Sequence, residues 1–501
     1  MTGWQNFSPP TSEAADRPPA SFSKKNLLWR QRRCESGRFL FPIEYDTLQR
    51  VTTSRRTIIP RADHPISRRN LSDNAVRVLY RLRDNGFQAV LVGGCIRDLL
   101  LGREPKDFDI ATNATPSQVK KLFRNCRLVG RRFRLAHLHF REEIIEVATF
   151  RSASMVGDEP DDFAEGAGRP PRMVKDDGGM ILRDNLFGTP EEDARRRDFT
   201  VNALTYDIAD FSLIDYVGGI DDLNRSIIRT IGDPAVRFIE DPVRMLRAIR
   251  FAALLGFKIE TGTWHSLVEL SHHCANASPP RLYEEMLKLF LSGEGERCYQ
   301  LLRQSGIFAA LFPTINSWLE TETEEFPHVR FGGALEAIDA RTSAGEPLSP
   351  PLLLALLFGE YLEEQAAMLR KGGASPQEAL DTTLARFVED LTSTVQIPHK
   401  VALGMRGILA CRHRFTATPG RRPLSFISRP GFGEALRYLE LTAELSDEAK
   451  ALHNWWVKYL AGNPPPPAPP RGEHLEPGSP KRRRRNRRRR RNSPAVHHSH
   501  P

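Results

Sequence analysis

Two aspartates one residue apart, Asp107 and Asp109, close the stretch Val90-Leu-Val-Gly-Gly-Cys-Ile-Arg-Asp-Leu-Leu-Leu-Gly-Arg-Glu-Pro-Lys-Asp-Phe-Asp-Ile-Ala-Thr112. On a strand centred on Asp107-Phe108-Asp109-Ile110, side chains alternate faces. The two carboxylates then point one way, while Phe108 and Ile110 point into a core. Paired carboxylates repel unless a cation sits between them. Hard oxygens at that spacing suit Mg²⁺, which takes one or two protein carboxylates and completes its shell from substrate phosphates. Upstream, Gly93-Gly94 frees backbone N–H groups to approach a triphosphate, because glycine tolerates unusual dihedrals. An Asp-x-Asp alone is more often a surface pair, and a Gly-Gly alone is usually only a turn. Strand, turn, helix and strand in that order make a phosphate loop feeding a metal-binding strand the better reading.

These elements need a scaffold. The apolar run Ala89–Val92 predicts a buried strand, and Arg97 and Asp98 fall on a short helix after the glycines. Ordered structure is expected from about Ile66-Ser67. There Asn70 or Ser72 caps a helix carrying Val76, Leu79, Tyr80 and Leu82 and stopped by Gly86. Thr115-Pro116-Ser117 opens another helix, with Val119, Leu122 and Phe123 on its apolar face. Glu143–Phe150 reads as a strand, and its Glu146 is either a supplementary metal ligand or an edge charge. Residues 152–179, rich in Gly, Asp and Pro, read as a long loop.

Gly93-Gly94 with Arg97-Asp98, followed by Asp107-Phe108-Asp109, resembles the signature of the class II nucleotidyltransferases of the polymerase-β superfamily. That group comprises CCA-adding tRNA nucleotidyltransferases and bacterial poly(A) polymerases. The resemblance continues through Arg196-Arg197-Asp198-Phe199-Thr200-Val201-Asn202 and Glu240-Asp241-Pro242-Val243-Arg244-Met245-Leu246-Arg247, so it spans roughly residues 60 to 320. It implies an α+β fold: a nucleotidyltransferase head with a mixed sheet and helices, then an all-helical neck and body, with disordered ends.

The resemblance also implies roles. Asp107 and Asp109 would hold two Mg²⁺ ions with ATP as substrate. Asp198 would be the third acidic residue, in competition with Glu146. Arg197 would touch phosphate or ribose, with Asn202 in the same motif. Asp241, Arg244 and Arg247 would form a protein template for the incoming base, since aspartate only accepts and arginine only donates hydrogen bonds. A mixed-charge helix face is otherwise just solvated, and without the resemblance the templating idea would not be favoured. Ser278-Pro-Pro-Arg-Leu-Tyr-Glu-Glu-Met-Leu-Lys-Leu289 looks like the neck helix supporting the base pocket. The element Leu128–Leu138, with Arg131, Arg132 and Arg134, looks like that of bacterial poly(A) polymerases rather than CCA-adding enzymes. The implied activity is template-independent addition of AMP from ATP to RNA 3′ ends, with a CCA-adding enzyme as the alternative. A degenerate RNA-binding protein is the rival from another class, and the intact aspartate pair argues against it.

Composition agrees with a polyanionic partner. The 501 residues carry a formal charge of +10, and the pI is near 9.4. Ten cations lie in one run: Lys481, Arg482, Arg483, Arg484, Arg485, Arg487, Arg488, Arg489, Arg490 and Arg491. Subtracting them leaves the remainder near neutral. So dense a run binds phosphate backbones by counterion release and reads no sequence; a nuclear-import signal is its rival reading. The six cysteines (Cys34, Cys95, Cys126, Cys274, Cys298, Cys411) show no zinc spacing and argue for a reducing compartment. No apolar run approaches the about eighteen residues of a membrane span, and the polar N-terminus lacks a secretory segment. Glu13, Asp16 and Glu35 argue against a transit peptide. The expectation is a cytoplasmic, monomeric enzyme acting on RNA 3′ ends, with RNA-decay proteins as potential partners and no membrane. Its divisions would be a disordered extension 1–58, a catalytic head 59–225, a base-selecting neck 226–292, an RNA-binding body 293–460 and a disordered Pro- and Arg-rich tail 461–501. His272-His273-Cys274 and Trp455-Trp456 read as structural, and Glu320–Glu325 and 341–351 as loops between helices.

Overall fold

The computed structural model describes residues 56–130, 134–141, 143–152, 174–175, 181–183, 187–321, 327–416, 426–427, 429, 431–443 and 447–462. The chain enters the fold earlier than Ile66, and part of what reads as extension is strand. Thr57–Ile59 (β1) pairs antiparallel with Leu213–Asp215. Three residues ended by Pro60 are too few to show a period, and the partner lies far along the chain, so pattern alone could not reveal this edge.

Asp73–Asp84 (α1) begins at Ser72, whose hydroxyl accepts from the N–H groups of Asn74 and Ala75. It buries Ala75, Val78, Leu79 and Leu82. Ala89–Val92 (β2), Gly94–Leu100 (α2) and Asp109–Thr112 (β3) follow. The helix expected after Thr115 is Pro116–Leu122 (α3), and Thr115 and Gln118 form a capping box at its start. Cys126–Val129 (β4), Leu135–His139 (β5) and Ile144–Thr149 (β6) make a meander. Val174–Lys175 (β7) pairs with Ile181–Arg183 (β8). Then come Pro190–Arg196 (α4), Thr205–Asp207 (β9), Leu213–Asp215 (β10) and Gly219–Asn224 (α5). The main sheet runs β1-β10-β9-β2-β3-β6-β5-β4, and β3 and β6 are its parallel pair. It is the mixed sheet expected of the head.

The sheet's two faces differ. Leu91, Ile110, Ile145 and Val147 join the main core with Leu79 and Leu82 of α1 and Val119 of α3. Val90, Val92 and Ala111, on the other face, form only a small cluster with Phe150. Asp109 stands opposite Val92 in the register and therefore shares this face.

Ile227–Ile228 (β11) pairs with Lys258–Ile259 (β12) around Pro234–Glu240 (α6) and Val243–Leu255 (α7). Beyond Ile259 the described residues contain helices and no strand. These are Thr261–Glu269 (α8), Pro279–Phe290 (α9), Gly295–Gln304 (α10), Ile307–Leu311 (α11), Pro313–Glu320 (α12), Pro327–Ser343 (α13), Pro350–Lys371 (α14), Pro376–Thr392 (α15), His399–Thr416 (α16), Phe432–Ala443 (α17) and Asp447–Gly462 (α18). Glu320 ends a helix, and most of 341–351 is the turn between α13 and α14; Glu322, Glu324 and Glu325 lie outside the described residues. Trp456 is buried in a cluster with Phe415, Phe426 and Phe432, and its indole N–H donates to the Phe415 carbonyl at 3.1 Å. Trp455 is half-buried and stacks on Tyr459. Cys274 is fully buried beside the paired His272 and His273 rings. No described helix is long and apolar enough to cross a membrane.

Candidate active site

β3 begins at Asp109, so Asp107 lies on the exposed approach to the strand rather than within it. Phe108 and Ile110 are buried as expected. The two aspartates still act on one another: burial, then the charge of Glu146 and finally that of Asp107 push the Asp109 carboxyl from its ordinary 3.8 up to about 6, against the pull of Arg197. Glu146 comes close because β3 and β6 run parallel with Asp109 beside Glu146. Glu146 thus neighbours Asp109, as both readings of it, supplementary ligand and edge charge, require. His137, opposite Glu146 on β5, reaches its Oε1 at 3.2 Å. This contact was invisible before the strand register was known.

The Gly-Gly turn lies against Asp109 and Arg197. Gly93 has φ +86°, a conformation that favours glycine. A Cβ there would meet Nη1 of Arg197 at 3.1 Å and Oδ2 of Asp109 at 3.3 Å. Only a bare backbone lets the turn, the metal-strand aspartate and this arginine converge. Gly94 starts α2, against the guanidinium of Arg97. Cys95 inside the loop is inert: its thiol donates to the Val92 carbonyl, and burial pushes it up to about 12. Arg197 caps α4 and pairs with Asp193 at 3.2 Å.

Arg97, expected at the nucleotide, is instead buried, with 5% of its surface exposed. It donates to Asp98 Oδ1 at 2.7 Å and to Asn202 Oδ1 at 2.7 Å. Asn202 in turn donates to Asp198 Oδ1 at 3.3 Å. The other oxygen of Asp198 accepts from Arg247 Nε at 2.7 Å. Burial alone would raise the Asp198 carboxyl. The charge of Arg247, with hydrogen bonds from Arg247, Asn202 and the Phe199 N–H, outweighs that and holds it at about 2. Asp198 is therefore held by an arginine of α7. The spacing within its motif could not show that its partner sits on α7.

Phe251, which sequence reasoning missed, completes the circuit. The guanidiniums of Arg97, Arg247 and Arg250 lie 5.1, 5.4 and 4.5 Å from its ring centre. The one available signal was its place four residues after Arg247 on α7. The N-cap of α7 is Pro242, one residue after Asp241. The Asp241 carboxylate takes a two-pronged contact from Arg281 on α9, at 2.8 and 2.9 Å. Arg244 turns to the Arg237 carbonyl at 2.9 Å and to Glu240 at 3.4 Å, with 12% of its side chain exposed. Arg247 keeps 34%. Arg131, Arg132 and the run Lys481–Arg491 lie outside the described residues, whereas Arg134 is exposed at the start of β5.

Carboxylates on and beside one sheet face, a glycine turn against Asp109 and Arg197, and further arginines on α2 and α7 together suit a nucleoside triphosphate. Comparison with known proteins agrees. Residues 89–229 match the family model for the poly A polymerase head domain. Residues 256–319 match a probable RNA and SrmB-binding site of polymerase A, and residues 372–491 match its arginine-rich C-terminus. Poly(A) polymerase I of Salmonella typhi is 43% identical over 84% of this chain and 90% of its own length. The chain belongs to the poly(A) polymerase I family.

Further members of this family are poly(A) polymerase I of Escherichia coli O6:H1, 42% identical over 84% of the chain and 90% of its own length, and that of Haemophilus influenzae, 39% identical over 81% and 89%. The CCA-adding enzyme of Bacillus pumilus is more distant in extent, at 37% over 52% of this chain and 61% of its own. Among solved structures, the Bacillus stearothermophilus CCA-adding enzyme in complex with CTP shares the fold at TM-score 0.51. It is 26% identical and covers 77% of this chain and 82% of that one. As a member of the poly(A) polymerase I family the chain is a nucleotidyltransferase with poly(A) polymerase activity.

Proposed function

We propose that the chain joins AMP from ATP to RNA 3′-hydroxyls without a template, releasing pyrophosphate, and that Asp107 and Asp109 hold Mg²⁺ with Glu146 beside them. The crowding of Asp109 carries this reading: a half-buried carboxylate that feels two others is relieved by a cation. The donors fit. All are hard oxygens, and among the described residues no three metal-capable side chains form a group that could hold an ion by themselves, so substrate phosphates would have to complete the shell of a Mg²⁺ on the aspartate pair. When bound, the metal supplies charge stabilisation for the attacking 3′-oxygen and the departing pyrophosphate.

The chain's own residues orient and select. The Gly93–Gly94 turn and Arg197 face the triphosphate. Asn202 and buried Arg97 act as positioning residues, and Asp198 holds Arg247 rather than metal, so the third acidic role passes to Glu146. Asp241, Arg244 and Arg247 read the adenine edge. Because Asp241 is held by Arg281 and Arg244 by Glu240, a base binds by exchange for a protein partner, which penalises bases offering the wrong donors. The head 59–225, neck 226–292 and body 293–460 divide catalysis, base selection and RNA grip. The Lys481–Arg491 run adds affinity for phosphates without sequence. A monomer in the cytoplasm, in contact with RNA-decay proteins, belongs to the same reading.

The test is a generic RNA primer incubated with each nucleotide separately. Long A tracts are the expected product. Addition of C-C-A, confined to truncated tRNA, would overturn the proposal in favour of the CCA-adding alternative.

A further inference from the structure

The head carries a second basic surface, on the side of the sheet away from Asp109. α1 and α3 pack on the face that holds Leu91 and Ile110, opposite the small Val90–Val92 cluster. Outward from these two helices and their flanks stand Arg68, Arg77, Arg81, Lys120, Lys121 and Arg124, all exposed. Two contacts knit them into one strip. Arg68 Nη1 donates to the Tyr80 hydroxyl at 3.0 Å, tying the segment before α1 to that helix. The Arg81 guanidinium lies 5.1 Å from the Phe123 ring centre, tying α1 to the end of α3.

Among the described residues none of the six makes an ion pair, although arginines of the catalytic side nearly all do. Asp73 and Asp84 stand on the same helix, but neither reaches a cation of the strip at ion-pair distance. Like charges four apart, as Arg77 and Arg81 are, destabilise a helix by about 0.2–0.5 kcal/mol. Cations kept together without partners and pinned against aromatic rings suit a ligand that brings many negative charges at once. A solvated helix face ordinarily intersperses the two signs.

We propose that this strip is a docking track for the phosphate backbone of the substrate RNA, upstream of the 3′ end held at the catalytic face. It rests on the reading of RNA as substrate. It differs from the arginine-rich run near the C-terminus in being displayed on a folded surface. Lysine and arginine serve equally where only charge meets phosphate, so the contacts carry no sequence preference.

The experiment compares the full chain with its R77A/K120A/K121A/R124A variant, which leaves both tethering arginines in place. Binding of a long unstructured RNA is measured against salt concentration. With about 0.7 of slope lost per phosphate contact on a single strand, the variant's log–log slope should be shallower by up to about 3, and its affinity at low salt weaker. Single-AMP addition to a short oligonucleotide primer should stay at the unaltered chain's rate. The charge-conserving R77K/R124K variant should bind as the unaltered chain does, which separates lost charge from lost fold. An unchanged slope and affinity for long RNA would overturn the track and leave the strip to an acidic protein partner. Failure of the unaltered chain to extend the short primer would instead sink the polymerase reading itself.

Discussion

Asp109→Asn should make the metal-free protein more stable, not less. The Asp109 carboxyl sits at about 6 rather than its ordinary 3.8 because burial, Glu146 and Asp107 disfavour its charged form more than Arg197 favours it. At about 1.4 kcal/mol per pH unit, that rise corresponds to about 3 kcal/mol at most. The sign follows from linkage. Below 3.8 the group is neutral in folded and unfolded chains alike, and there is no penalty. As pH climbs through about 6 the folded state must ionise a crowded carboxylate, and stability falls relative to the unfolded chain. Asparagine keeps the shape without the charge. In chelator at about pH 8 the variant should unfold at higher urea than the unaltered protein, by up to about 3 kcal/mol, and the two should converge as pH falls towards 4. Added Mg²⁺ should stabilise the unaltered protein and do far less for the variant. If Asp109→Asn were equally or less stable at about pH 8 without metal, the carboxylates would not be under mutual strain, and the cation-site argument would fail.

Asp107→Ala should abolish AMP incorporation while fold and RNA binding stay nearly intact, several kcal/mol of barrier being lost at ~1.4 kcal/mol per tenfold in rate; undiminished incorporation would refute its role. Asp198→Ala should destabilise by about 3–5 kcal/mol near neutral pH, because it strands Arg247. Its carboxyl is held at about 2, so its contribution is present above 3.8 and lost as pH falls towards 2; the gap between variant and unaltered protein in urea titrations should narrow over that range. Trp456→Ala removes a buried ring from the cluster around Phe415 and should cost about 3–5 kcal/mol, seen as faster hydrogen exchange in α16–α18 with the head unaffected. Deleting residues 481–491 should weaken RNA binding and flatten its salt slope without lowering the single-nucleotide rate at saturating RNA; an unaltered slope would count against an RNA role for the run.

Local signals carried far in this chain. Ser72 and Thr115 announce their helices by caps that need only the next few residues. Gly93 marks a turn that only glycine's missing Cβ permits beside Arg197 and Asp109. What stayed hidden depends on register or on distant pairing. Whether Glu146 neighbours Asp109 is decided by the parallel pairing of β3 with β6. That Arg247 of α7 pairs with Asp198, and Arg281 of α9 with Asp241, depends in the same way on distant elements. A carboxylate's role is set by the nearest cation, and nearness across elements is not written in spacing.

Charge shows the same limit at larger scale. Summing the chain assigns the whole excess of +10 to ten residues near its end and leaves a nearly neutral remainder. That remainder is not electrically uniform. Many arginines of the catalytic side are consumed by acids: Arg97 by Asp98, Arg197 by Asp193, Arg247 by Asp198, Arg281 by Asp241. Each such pair is neutral, so it leaves the sum unchanged and says nothing of the exposed cations on α1 and α3, which stand where the fold puts them. A polyanion senses the local field within about 8 Å at physiological salt, not the sum. The surface that grips RNA is therefore to be sought where the ion pairs are missing, and on the described head that is the side opposite the catalytic carboxylates.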